Sequence, residues 1–237
     1  MRLNKYLSRS GIASRRESDA LIKSGTTEVN GLLCLDPAYQ VKPTDSIIFD
    51  GKKIEPNKEK IVVMLHKPKR IITTVKDTHG RKTVLDIIES SVRLVPIGRL
   101  DQDSTGLLLL GNDGDLHQYL THPKNSIPKD YEVIIEGRIS DIQIKKIARG
   151  LYIGDKEYGK AEVLEQNTNK GRSSLILRLR QGKKREIRRL MYRIKIKLFS
   201  LKRIRYAGLE LGNLKEREYR QLSKNEIKKL WNESKEF

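Results

Sequence analysis

Apolar residues along this chain fall into two patterns that predict different elements. The first is the short unbroken or alternating run. Leu107–Leu110 is four leucines closed by Gly106 and Gly111, which predicts a buried strand. Ile61–Leu65 predicts a second core strand, ended by Lys67-Pro68. Glu132–Glu136 and Ser174–Arg180 alternate apolar with polar or basic residues, and Thr26–Asn30 and Ile47–Phe49 read as shorter strands.

The second pattern has helical spacing. Leu3, Tyr6 and Leu7 stand at i, i+3 and i+4, Leu116, Tyr119 and Leu120 repeat that spacing, and Leu190, Met191 and Ile194 form a stripe. Caps set the ends. Gly11 closes the first helix. Ser14 and Glu17 form a capping box that starts a second, closed by Gly25. Ser140–Ala148 is a helix with Ser140 as N-cap and Gly150 past its end. Ser223 and Glu226 form another box, which predicts a terminal helix over Ser223–Glu233. Pro123 and Pro128 frame a loop.

Residues 51–60 hold one aliphatic residue, Ile54, among Gly, Pro and charges. They read as a connection between two units free to reorient, with domains at 1–55 and 61–237 and residues 56–60 as the linker.

Charge narrows the partner. The chain has 237 residues with 49 Lys and Arg against 30 acidic residues, a net charge of +19. That excess is the footprint of a polyanion, whether RNA, DNA or an anionic membrane. No apolar run approaches the ~20 residues of a membrane helix, and the basic start MRLNKYLSRSG lacks a signal-peptide core. Cys34 is the single cysteine, and His66, His79, His117 and His122 show no ligand spacing. A cytoplasmic protein without metal or disulfides is expected. An aromatic content of 5% favours contacts to RNA backbone and shape over serial base stacking.

The segment GRLDQDSTGLLLLGNDG, residues 98–114, carries candidate chemistry. Asp101 lies in a polar loop at the mouth of the leucine strand, two residues from Arg99. Loops held by rigid strands commonly bear catalytic groups, and a neighbouring cation keeps a carboxylate ionised and aimed. The plain alternative is a turn-forming Asp. A calcium loop starting at Asp101 fails, because Asn112 stands where the closing Glu belongs and Leu109 replaces a polar ligand. Asp101 and Asp103, two apart, are poorly placed to flank a glycosidic bond.

G-R-L-D, a polar turn, T-G-L and an apolar run resemble the signature of the pseudouridine synthases. Val95-Pro96-Ile97 upstream and Asn112-Asp113-Gly114 downstream resemble one branch of them, the enzymes that modify ribosomal RNA and carry an S4-type RNA-binding domain (the RsuA family). The resemblance covers almost the whole chain. R-L-N-K-Y-L, G-I-A-S-R-R-E and V-N-G near the N-terminus match the S4 pattern, and T-H-G-R-K-T-V-L-D, residues 78–86, matches a segment preceding the catalytic strand. The family's K-P is present at Lys67-Pro68, but Lys69-Arg70 replaces the usual following Gly. Leu209–Leu222 resembles the closing segment.

The resemblance implies an α+β protein: a small S4-type domain, then a catalytic domain with a mixed, mainly antiparallel sheet and flanking helices. It implies isomerisation of a uridine to pseudouridine in ribosomal RNA, large-subunit rather than small-subunit, with no cofactor or metal. Asp101 matches the essential residue, which either attacks the ribose or takes a proton from it. Tyr131, in the family's K-x-Y, would stack on the target base, and Arg99 would help hold the extruded nucleotide. Gly182, Arg185, Ile187, Arg188 and Arg189 match G-x-x-R-x-I-R-R, whose second Arg, Arg188, pairs with the Asp; Glu186 stands where many relatives have Gln.

RNA backbone contacts would fall to Arg2, Lys5, Arg15 and Arg16 in the S4-type domain. In residues 181–205, which hold eleven Lys and Arg against Glu186 alone, they would fall to Lys183, Lys184, Arg185 and Arg189. Arg81 is a further possible contact. Two other classes compete. A non-enzymatic ribosome-associated RNA-binding protein has no need of Asp101, Tyr131 and Arg188 together, and a nucleoside glycosidase would release free uracil.

Overall fold

The computed structural model describes residues 1–232 and divides into two compact units, Met1–Lys60 with Ser91–Arg93, and Ile61–Ser90 with the chain from Leu94 onward.

In the first unit α1 (Leu3–Arg9) and α2 (Arg15–Lys23) pack on a four-stranded sheet of β1 (Thr27–Val29), β2 (Leu32–Leu33), β3 (Ile47–Phe49) and β4 (Lys52–Lys53), in the order β2-β1-β3-β4. The capping box is formed: Glu17 N donates to Ser14 Oγ and Ser14 N to the Glu17 carboxylate. Leu3, Leu7, Ile22, Val29 and Ile47 make the core. The charged stretch that reads as a connection starts as part of this sheet. Lys52 and Lys53 pair with β3, Ile54 N donates to Ile47 O, and Asn57 N donates to Arg9 O. Backbone pairing holds these residues despite their polar side chains.

The second unit is built on a nine-stranded sheet. Its strands are β5 (Val62–Lys67), β6 (Val95–Ile97), β7 (Thr105–Gly111), β8 (Lys129–Glu136), β11 (Glu162–Asn169), β12 (Arg172–Leu179), β13 (Leu198–Tyr206), β14 (Leu209–Glu210) and β15 (Tyr219–Gln221). The main path runs β11-β12-β8-β13-β7-β5-β15, with β14 on β13 and β6 on β7. Pairing is antiparallel except between β13 and β7, so the sheet is mixed and mainly antiparallel. β9 (Leu151–Gly154) and β10 (Glu157–Gly159) form a separate hairpin.

Helices α3 (Gly114–Thr121) and α6 (Lys224–Asn232) share one core with the β5–β7 part of the sheet through Leu116, Leu120 and Leu230 against Val62, Met64, Leu107 and Leu109. Helices α4 (Asp141–Arg149) and α5 (Glu186–Arg193) share a second with β8 and β12 through Ile147, Leu190 and Met191 against Val133, Ile135, Leu175 and Leu177. All of β7 is buried; each of its leucines contributes about 1.5–3 kcal/mol of burial. Of the expected terminal helix, Glu233 lies outside the described residues.

Gly106 is fixed by its neighbour strand. Its φ is +104°, and a Cβ there would lie 2.2 Å from the Arg203 carbonyl oxygen. The close approach sits where β7 meets β13 in parallel, Gly106 opposite Arg203, so only glycine allows the leucine strand to start there.

Candidate active site

The segment from Gly98 to Ser104 connects β6 to β7 and is held from several sides. Ser104 N closes a turn on Asp101 O at 3.0 Å. The Thr73 hydroxyl donates to Leu100 O at 2.9 Å and accepts from Leu100 N, while Arg70 N donates to Gln102 O at 2.9 Å. Beneath lies Lys67, the last residue of β5, fully buried. Its Nζ donates to the carbonyls of Pro68 (2.9 Å), Gln102 (3.4 Å) and Ser104 (2.9 Å). Burial pulls its pKa down to about 8, against the opposing pull of Asp101 and Asp103. Lys67 is thus a cationic peg under the Asp101 loop. The sequence signal was available, a lysine closing an apolar run, but a strand-terminating reading of Lys-Pro hid it.

Two guanidiniums face the Asp101 carboxylate. Arg188 Nε is 3.7 Å and Arg185 Nη1 3.9 Å from Oδ2. These are ion-pair distances rather than hydrogen bonds, and the buried Arg188 Nε has no hydrogen-bond partner among the described residues. Arg188 is held instead through Nη2, which donates to Asp103 O at 3.2 Å and Ser104 Oγ at 3.4 Å. Burial and the neighbouring Arg185 lower the Arg188 pKa. Asp101 is therefore aimed by charge while its oxygens keep room to engage a further group.

Tyr131 lies on β8, which starts at Lys129, earlier than the alternation at Glu132–Glu136 suggests. The reason is Asp130. Almost fully buried, it accepts a two-point ion pair from Arg178 on β12 (2.8 and 2.8 Å) and a contact from Arg205 on β13 at 3.2 Å, which locks this end of the strand between its neighbours. Arg203, also buried, is opposite both Gly106 and Tyr131 in register. Its Nε donates to Leu107 O at 2.7 Å, and its guanidinium lies 6.0 Å from the Tyr131 ring and 4.8 Å from that of Tyr206. β7 and β8 flank β13 directly, so the strand that follows Asp101 and the strand that carries Tyr131 run about 10 Å apart with β13 between them. Sequence reasoning passed over Asp130, Arg178, Arg203 and Arg205, because alternation marks where basic residues sit and not which of them are buried.

The other expected contacts divide. Arg99 is exposed and makes no hydrogen bond or ion pair among the described residues. Lys184 and Arg185 are exposed; Lys183 is half-buried, its Nζ bonded to Tyr158 O. In the first unit Arg2, Arg15 and Arg16 are exposed and Lys5 is half-buried. Arg15 and Arg16 occupy the first turn of α2, where the helix dipole disfavours cations, so the fold itself does not call for them.

Arg189 requires a correction. Its Nε donates to Ile153 O (2.9 Å), Nη2 to Gly154 O (2.7 Å), and Nη1 to Glu157 (2.6 Å) and Lys184 O (3.1 Å). With its donors engaged inside the protein it is a staple between α5 and the β9–β10 hairpin, unsuited to grip phosphate. Arg81 is also engaged, by a two-point contact that holds the Asp77 carboxyl well below the usual range. Glu186 is buried, and its two oxygens accept Lys160 N and Lys183 N, one each at 3.1 Å; burial raises its pKa.

A family model for RNA pseudouridylate synthase matches residues 61–192, more than half of the chain. The chain belongs to that family. An S4-domain model matches residues 1–47 of this synthase. It is 36% identical over 232 residues to ribosomal large subunit pseudouridine synthase B of Bacillus subtilis, covering 97% of this chain and 95% of the relative. It is 34% identical over 229 residues to the dual-specificity RNA pseudouridine synthase RluF of Escherichia coli, covering 96% and 77%. A crystal structure of a pseudouridylate synthase superposes with a TM-score of 0.69 at 25% identity, covering 97% of this chain and 99% of that one. The expected α+β arrangement, an S4 domain followed by a synthase domain, holds. The synthase reaction breaks the C1′–N1 bond of a uridine in RNA, turns the uracil, joins C1′ to C5 and releases the C5 proton. No helix among the described residues is long and apolar enough to cross a membrane, and among them no group of three or more His, Cys, Asp or Glu could hold a metal ion.

Proposed function

We propose that this synthase isomerises a uridine of ribosomal RNA, in the large subunit rather than the small, with Asp101 as the catalytic carboxylate. The observation that carries the site is the placement of Asp101: a carboxylate on a loop pegged by Lys67, facing Arg188 and Arg185 at 3.7 and 3.9 Å. The preference for the large subunit rests on the name and 36% identity of the Bacillus subtilis relative.

The roles follow from chemistry and position. Asp101 either attacks the ribose or takes a proton from it, and Arg188 keeps the carboxylate aimed through the step. Tyr131 stacks on the detached uracil and holds it while it turns. The target base must leave its stack, at a cost of a few kcal/mol; Arg99 steadies the extruded nucleotide and phosphate contacts offset the cost. Those contacts come from Lys183, Lys184 and Arg185 near the site. In the S4-type domain they come from Arg2, Lys5, Arg15 and Arg16; this domain runs to Lys60 rather than to residue 55, since Asn57 N bonds to Arg9 O, and the catalytic domain starts at Ile61.

The test is to map pseudouridine in ribosomal RNA from cells with and without the gene. One large-subunit position is expected to revert to uridine. An unchanged map, or free uracil released from RNA by the purified enzyme, overturns the reading.

A further inference from the structure

We propose that the β9–β10 hairpin is a second RNA-binding surface, which stacks an unpaired nucleotide on Tyr158 and Tyr152 away from the Asp101 site. The proposal rests on the chain acting on RNA, not on which RNA it modifies.

The hairpin has two unlike faces. Ile153 is buried, and a Cβ at Gly159 would lie 3.0 Å from Ile153 Cδ1 and 3.2 Å from Leu190 Cδ2, so this face packs closely on α5. Side chains alternate along a strand, and the outward face carries Tyr152 and Tyr158, directly opposite each other across the pair. They are 44% and 62% exposed, with ring centroids 5.5 Å apart in an edge-to-face arrangement. The Arg193 guanidinium lies 5.5 Å from the Tyr152 ring.

Two large rings left in water need a reason in a chain with so few aromatics, and the surroundings provide one. Lys156 and Lys160 are exposed on or beside the hairpin, the exposed Arg193 stands at the Tyr152 ring, and Lys183 Nζ bonds to Tyr158 O. Of the acidic neighbours, Glu157 is neutralised by Arg189 and Asp155 lies 3.6 Å from the same guanidinium. Aromatic planes ringed by cations suit a nucleic acid strand, with bases on the rings and phosphates on the ammonium and guanidinium groups.

The surface is also coupled rigidly to the chemistry. Arg189 ties the hairpin to α5 through Ile153, Gly154 and Glu157, and the preceding residue of that helix, Arg188, faces Asp101. An RNA strand seated on the tyrosines is thereby held at a fixed offset from the reacting uridine.

The test compares Y152A/Y158A with Y152F/Y158F on transcribed large-subunit RNA, by single-turnover rate against enzyme concentration at fixed salt. The Ala pair is expected to raise the half-saturating concentration about tenfold with an unchanged maximal rate and salt slope, and the Phe pair to behave as the wild type. In parallel, ultraviolet crosslinking to a short oligouridylate should map to the peptide containing Tyr152 and Tyr158. This arm reads the surface even if that RNA proves not to be the substrate. The proposal is overturned if the Ala pair binds within about twofold of wild type, if Phe fails as Ala does, or if the maximal rate and melting temperature fall instead. It is equally overturned if naked RNA binds normally and only a protein contact on the ribosomal particle is lost.

Discussion

Arg188 and Arg189 are adjacent on α5, yet one faces Asp101 at 3.7 Å and the other bonds to the backbone of the β9–β10 hairpin. Successive helical residues are turned by about 100°, so the one basic dipeptide serves the reacting loop and the scaffold behind it.

Arg188→Ala is expected to slow single turnover by at least about tenfold with little change in RNA affinity, because the aim of Asp101 is lost while the fold stays intact. Arg189→Ala is expected to do the opposite, lowering stability by about 2 kcal/mol through its lost charge-assisted bonds, or roughly 5 °C in Tm. Single-turnover kinetics and thermal melting on both variants separate the two. Equal turnover losses would mean that the Asp partner is misassigned.

Asp101→Asn should bind RNA within a few-fold of the wild type and lose turnover by about a thousandfold or more, roughly 4 kcal/mol of barrier. The amide keeps the shape of the carboxylate and removes its charge. Activity within about tenfold of wild type would exclude Asp101 from the chemistry.

The Asp101 loop should loosen as pH rises through about 8, where Lys67 loses its proton. Its three N–H donors serve three carbonyls, and the neutral amine has only two. The linkage has the opposite sign for stability. The folded-state pKa lies below the ordinary 10.5, so the unfolded chain binds more protons between about 8 and 10.5 and this group favours folding as pH rises. A falling single-turnover rate above pH 8 without a falling Tm is the expected signature. Lys129 is also lowered to about 8 by burial, but its ammonium bonds to Ile127 O, so Lys129→Met should keep the descending limb. A level rate to pH 9 in the wild type would contradict the role of Lys67.

Removal of residues 1–60 is expected to leave a folded catalytic unit and to weaken RNA binding with a shallower salt dependence. The cut belongs at 60 rather than 55 because Asn57 bonds to Arg9. Circular dichroism checks the fold, and binding titrations at several salt concentrations check the rest. Equal affinity and equal slope in both forms would deny the S4 domain an RNA role.

What the sequence made legible follows from how local each signal is. Caps and apolar runs are local, and Ser14, Ser140 and the leucine strand appear where their patterns place them. The Asp101 loop was legible as a motif. β11 was not, because its side chains are mostly exposed and polar and its place in the sheet comes from backbone pairing to β12. Nor could periodicity tell Arg189, a half-buried staple, from Arg185, an exposed cation. That difference arises from a hairpin some thirty residues upstream in the fold.

β13 lies between the strand that follows Asp101 and the strand that carries Tyr131, although it comes after both in the chain. During synthesis the acid and the stacking ring therefore exist before the strand that joins them. At common ribosomal speeds the gap between making β7 and β13 is about 5–20 s. Throughout that interval the nascent chain has no assembled centre, and a product truncated before Leu198 cannot acquire one. The enzyme thus cannot modify RNA until β13 has been made and has paired with both neighbours.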